Sequence, residues 1–132
     1  MVCYAVLKSS GSRRSLHVMV VDDFPPLADH LAGVLQRNGY SVEVAYNGEE
    51  ALRAAEDFRP DALISDVHMP GLNGFQLAQA FAERFPQCRT VLVTIDPRAV
   101  SGVHDHPEYR VLQKPVPLEV LFEFLASCAA ER

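Results

Sequence analysis

Val18-Met19-Val20-Val21-Asp22-Asp23 is four apolar residues in a row followed by two acids. A strand with one wet face would alternate apolar and polar residues. A short unbroken apolar run instead fits a strand covered on both faces, the situation of a parallel sheet between helices. The acids mark where the chain leaves the core. Just beyond them Pro25 and Pro26 suit the opening turn of a helix, where a missing N–H costs nothing. Leu27, Leu31, Val34 and Leu35 then recur at helical spacing up to Asn38-Gly39, a fitting helix end.

The same pair of elements repeats along the chain. Ser41 to Ala45 reads as a strand, and Asn47 as an N-cap with Glu49 and Glu50 in the first turn. Ala51, Leu52 and Ala55 form that helix's inner face, and Pro60 closes it. A third strand runs through Ala62-Leu63-Ile64 to Asp66, and a Pro70-Gly71 turn follows. The next helix spans about Gly74 to Arg84, with Phe75, Ala78, Phe81, Ala82 and Phe85 expected inward. Val91-Leu92-Val93 is a fourth strand ending at Thr94, and Val111-Leu112 a fifth ending at Lys114-Pro115. Leu118, Leu121, Phe122 and Leu125 mark a final helix.

Strands alternating with helices call for an α/β fold with helices on both faces of a parallel sheet, because right-handed crossovers must return across it. For five strands the natural doubly wound order is 2-1-3-4-5, a flavodoxin-like sheet. The 132 residues suffice for one core. Residues 1 to 15 read as a flexible N-terminal leader, since they carry KSSGSRRS, and residues 16 to 132 as the domain. The helix between the fourth and fifth strands is expected to be short or irregular, because Gly102 and Pro107 interrupt it.

A net charge of -5 offers no basic footprint for a phosphate backbone, so direct nucleic-acid binding is not expected. No apolar run is long enough to span a membrane, and the first residues lack the order of a secretory signal. Cys3, Cys88 and Cys128 are odd in number and far apart, which reads as reduced thiols. These features point to a cytoplasmic protein.

The chemistry collects at strand ends. Asp22 and Asp23 follow the first strand, Asp66 ends the third, Thr94 the fourth, and Lys114 the fifth. In an open parallel sheet ligands bind beyond this carboxyl edge, at the switch point between strands one and three. Carboxylates crowded there must either hold protons or be neutralised by a cation. Oxygen ligands without His or Cys favour Mg²⁺. Asp66 is then the candidate nucleophile for phosphoryl transfer, which needs positioning and charge neutralisation more than covalent assistance. Lys114 could pair with Asp66 or a phosphoryl oxygen, and Thr94 offers a hydroxyl.

Val-Val-Asp-Asp, then Asp66-Val-His-Met-Pro-Gly-Leu-Asn-Gly, then a strand-final Thr94, then Lys114-Pro115, in that order and spacing, resemble the receiver domain of bacterial two-component response regulators. The resemblance runs from about His17 to the C-terminus. It implies that Asp66 is the phosphoacceptor and that Asp22, Asp23 and Asp66 hold Mg²⁺ with the backbone carbonyl of His68. It also implies that Thr94 and Lys114 read the phosphoryl group and that the peptide before Pro115 is cis. The partners it implies are a histidine kinase or histidine phosphotransfer protein as donor, an output protein the sequence does not identify, and a second copy in a homodimer. Such a domain is a phosphoacceptor in signalling rather than an enzyme, acting only in its own phosphotransfer and dephosphorylation.

Two positions depart from the family pattern. Receivers usually carry an aromatic residue three before the lysine, and here that position is Val111, with Tyr109 two residues earlier on the same strand face. Ile95 stands where the family commonly has a small residue, and its bulk would restrict access to a phosphoryl group. His68, two after Asp66, is placed to influence phosphoryl lifetime. An alternative function is therefore a receiver-like interaction module acting independently of phosphorylation. A phosphohydrolase of the haloacid-dehalogenase type is disfavoured, because it wants Asp-x-Asp after the first strand and a cap. His104-Asp105-His106 has a metal-like pattern but reads better as a solvated loop.

Overall fold

The computed structural model describes residues 15–96, 98 and 109–130. Its elements are β1 (His17–Val21), α1 (Pro25–Arg37), β2 (Ser41–Ala45), α2 (Gly48–Phe58), β3 (Ala62–Asp66), α3 (Gly74–Arg84), β4 (Arg89–Thr94), β5 (Arg110–Gln113) and α4 (Leu118–Ala130). The leader, apart from Ser15, lies outside the described residues, as do the expected irregular helix before β5 and the His104-Asp105-His106 stretch.

The five strands form one parallel sheet in the order β2-β1-β3-β4-β5, the order expected from the alternation of elements. Val20 stands level with Val44 on one side and Ile64 on the other, so β1 lies at the centre of the switch. Period-2 alternation then divides the apolar run between two layers. Val18 and Val20 join Ile64, Val91 and Val93 beneath α1 and α4, against Ala28, Leu35, Leu121 and Leu125. Met19 and Val21 face the other way, joining Leu63 under α2 and α3 with Ala51, Ala55, Leu77 and Phe81. Each fully buried Val, Leu, Ile, Met or Phe side chain among these contributes roughly 1.5–3 kcal/mol. A third small cluster, Val67, Ala78, Leu92 and Val111, packs with Phe75 and Tyr109.

Local signals place the helix ends. Asn47 caps α2 by accepting from the Glu50 amide, and α2 stops at Arg59, whose left-handed backbone is followed by Pro60. Asn73 opens α3 with a reciprocal capping box to Gln76. Three side chains expected inward are exposed. Ala82 sits about 100° around α3 from the buried Phe81, and Leu77 takes the inner position. Leu27 and Leu118 belong to the first turns of α1 and α4, which begin at the carboxyl edge, where the sheet ends. With the exposed Ile95 they rim an apolar cleft of about 480 Å³ that reaches Asp22 and Lys114.

Candidate functional site

Five side chains, Asp22, Asp23, Asp66, Thr94 and Lys114, come to the carboxyl edge because the ends of β1, β3, β4 and β5 bring them there. Asp22 is held in place from both sides of its own backbone: its amide donates to the carbonyl of Ala45 at 3.2 Å, and its Oδ1 accepts from the Phe24 amide at 2.9 Å. That turn directs the chain from β1 into α1. Asp22 is buried, whereas Asp23 is exposed. Asp66 closes β3, and the next amide, that of Val67, donates to Val93 at 2.9 Å and keeps the strand end rigid. Ser65, fully buried, donates its hydroxyl to the Asp66 carbonyl at 2.9 Å.

Asp22, Asp23 and Asp66 each offer a carboxylate oxygen within 4.8 Å of the others. An all-oxygen set of this size suits a hard dication such as Mg²⁺, and the electrostatics point the same way. Burial pushes the Asp66 carboxyl above its usual value, and the charges of Asp22 and Asp23 add to this, against the lowering effect of Lys114. A bound dication would relieve that penalty.

Lys114 follows β5. Its backbone amide donates to the Thr94 carbonyl at 2.7 Å, and the Lys114–Pro115 peptide is cis. Its Nζ lies 2.8 Å from Asp22 Oδ2 and 3.5 Å from Asp66 Oδ2. Burial disfavours the ammonium, but the hydrogen bond to Asp22 and the charge of Asp66 outweigh it and raise the lysine pKa. Lys114 is therefore a charged group throughout the neutral range.

Thr94 is fully buried at the end of β4. Its Oγ1 accepts from the Asp96 amide at 3.0 Å, which leaves its own proton to donate elsewhere. Asp96 is not among the residues that the sequence singles out. Its carboxylate is paired with Arg98 at 3.2 Å and stands 3.8 Å from His68 Nε2, so it links the loops that follow β3 and β4. Hydrogen bonds from Arg98 hold the Asp96 carboxyl below its usual range.

Gly74 closes the motif that begins at Asp66, and the structure supplies the reason for a glycine there. A Cβ there would collide with the Asp66 carbonyl and the Val67 backbone, so only glycine permits α3 to start so close to the end of β3. The two atypical positions differ in setting. Val111 is buried among Val67, Ala78 and Leu92, whereas Ile95 is 73% exposed at the rim.

A family model described as the response regulator receiver domain matches residues 18–126. The positive alginate biosynthesis regulatory protein of Pseudomonas aeruginosa is 34% identical over 113 residues, which cover 83% of this chain and 46% of that protein. Response regulator MprA of Mycobacterium tuberculosis is 45% identical over 65 residues, 49% of this chain and 28% of that one. The chain thus matches less than half the length of these curated relatives.

Among solved structures, chemotaxis protein CheY4 of Vibrio cholerae superposes with a TM-score of 0.76 at 29% identity, covering 87% of this chain and 99% of that one. Response regulator TrrA of Thermotoga maritima, solved in complex with Mg²⁺ and beryllofluoride, gives a TM-score of 0.75 at 27% identity, with 86% and 98% covered. An acid pair after β1, an acid ending β3 and a lysine after β5, on a sheet of this order, agree with a match that runs nearly end to end. The chain belongs to the response regulator receiver domain family, whose standard role is phosphorylation-dependent signalling in two-component systems.

Proposed function

We propose that residues 16 to 132 act as one receiver domain in which Asp66 accepts a phosphoryl group from a phosphohistidine donor. The observation that carries this is the convergence of Asp22, Asp23, Asp66 and Lys114 within one crevice. Asp22, Asp23 and Asp66, with the backbone carbonyl of His68, would hold Mg²⁺. When bound, the ion supplies positive charge to the oxygens of the incoming phosphoryl group. That TrrA takes Mg²⁺ and beryllofluoride supports this reading.

The chain's own groups supply the rest. Ionised Asp66 forms the new O–P bond, and the donor imidazole leaves with the electrons of the broken N–P bond. Lys114, charged and 3.5 Å from Asp66 Oδ2, neutralises charge on the phosphoryl oxygens, and Thr94 turns its free hydroxyl proton toward one of them. The product is a signalling state rather than a released compound, so the domain acts on no substrate beyond its own acyl phosphate.

The donor would be a histidine kinase or histidine phosphotransfer protein, the receiver of the signal an output protein or a second copy of this chain. The same reading places the domain in the cytoplasm, where a kinase would supply the phosphoryl group. Burial pushes the Cys88 thiol up to about 12, which keeps it out of nucleophilic chemistry.

Incubation with Mg²⁺ and a small phosphodonor should add about 80 Da, one phosphoryl group, to the wild type and nothing to Asp66→Asn. An adduct that persists in the variant, or none in the wild type from any donor, overturns the assignment. The second outcome would favour a phosphorylation-independent interaction module, a reading that the packed Val111 in the usual aromatic position keeps in view.

A further inference from the structure

Among the described residues five large apolar side chains stand exposed, and three of them, Leu27, Ile95 and Leu118, ring the same cleft. The cleft runs along α1 from Leu27 past Leu31 to Val34 and holds about 480 Å³. An apolar opening of this size beside a charged crevice marks a surface that something covers.

The chain carries a segment that suits it. Val2-Cys3-Tyr4-Ala5-Val6-Leu7 is a run of six apolar residues outside the described ones. The described chain begins at Ser15, and Leu16 is buried in one cluster with Leu35 of α1 and Cys128 of α4. The leader is thereby tethered at the amino edge of the sheet, on the layer that α1 and α4 cover. Residues 8–14, fully extended, span roughly 23 Å, whereas α1 is roughly 20 Å long. The tether suffices to return the apolar run to the first turn of α1. Charge favours the same placement, because Lys8, Arg13 and Arg14 give residues 1–14 three bases and no acid, against a domain whose acids outnumber its bases.

We propose that residues 2–7 occupy this cleft of their own chain as a strap, covering Leu27, Ile95 and Leu118. The bulk of Ile95 then has a use, since it gives the strap an apolar side chain to pack against. The strap also borders the acidic crevice, because Asp22 and Lys114 line the same cleft. A tethered segment needs no high affinity for this, since the short linker keeps its local concentration high.

The test uses the full chain with methyl-labelled Ile, Leu and Val, and neither Mg²⁺ nor a phosphodonor, so its outcome is independent of any chemistry at Asp66. Nuclear Overhauser contacts should join the methyls of Val6 or Leu7 to those of Leu27, Leu31, Ile95 or Leu118. Their absence overturns the proposal and leaves the cleft to a partner. In a mixture of labelled and unlabelled protein the contacts should stay within one molecule. Contacts that instead join different molecules assign the cleft to a second copy and overturn the strap.

A variant gives an independent readout. Val6→Asp combined with Leu7→Asp alters no residue of the buried core, so the domain keeps its fold. The contacts should be lost, and the amides of Leu27 and Ile95 should shift while that of Leu77, on the opposite layer, stays fixed. Leu27 and Ile95 amides that do not move overturn the proposal.

Discussion

The amide of Gly74 donates to the carbonyl of Val67 at 2.7 Å, which draws the first turn of α3 close to the end of β3. The contact is closer than any side chain allows, because a Cβ on Gly74 would meet the Asp66 carbonyl and the Val67 Cα. The obstacle is backbone, which cannot swing aside as a flexible side chain can. α3 and the Asp66 loop are thereby built as one unit.

Gly74→Ala should therefore destabilise the domain by roughly 1–3 kcal/mol, the usual cost of overpacking. Because the clash falls on the Asp66 peptide, phosphorylation by a small donor should slow as well. Thermal unfolding and the rate of adduct formation check the two parts. A variant as stable as the wild type would show that α3 can shift away freely.

The raised pKa of Asp66 has a defined sign in stability. The folded protein holds this proton to higher pH than the unfolded chain, whose carboxyl titrates near about 3.9. Stability from this group therefore falls as pH rises from the unfolded value through the folded one, and the deficit is complete above both. Asp66→Asn should then unfold at a higher temperature than the wild type at pH 7 with divalent ions chelated. The advantage should shrink as pH falls through the same window and vanish below it. Calorimetric scans across pH would measure this, and a variant less stable than the wild type at pH 7 would contradict it.

Val111 is not an empty stand-in for a larger residue. It is 9% exposed and in one cluster with Val67, Ala78, Leu92, Phe75 and Tyr109, whose ring lies 6.5 Å from that of Phe75. Val111→Phe should cost roughly 1–3 kcal/mol, because the added ring must displace packed neighbours. Denaturant unfolding would read the loss. A neutral or stabilising result would mean that this cluster has room for an aromatic side chain after all.

Strand order and the acidic crevice were legible in the chain for a simple reason. Apolar runs such as Val18–Val21 record burial on two faces, and polar residues can appear only where such a run stops. Asp22, Asp66, Thr94 and Lys114 are thus at strand ends by sequence, and parallel topology places all strand ends at one edge. Helix interiors were legible less fully. Ala82 and Leu27 fit a helical period, but which side of the stripe meets the sheet depends on how each helix lies against it.

What only the tertiary structure decided are relations between residues far apart in the chain and the space between them. Nothing in the order of residues says that Lys114 reaches past Asp66 to Asp22, that Asp96 ties the Thr94 hydroxyl to the loop carrying His68, or that Gly74 has no room for a methyl group. Periodicity specifies which residues are buried and which end of a strand is polar. The pairing of charges in the crevice is set by distances of a few ångströms, and those exist only once five strand ends stand side by side.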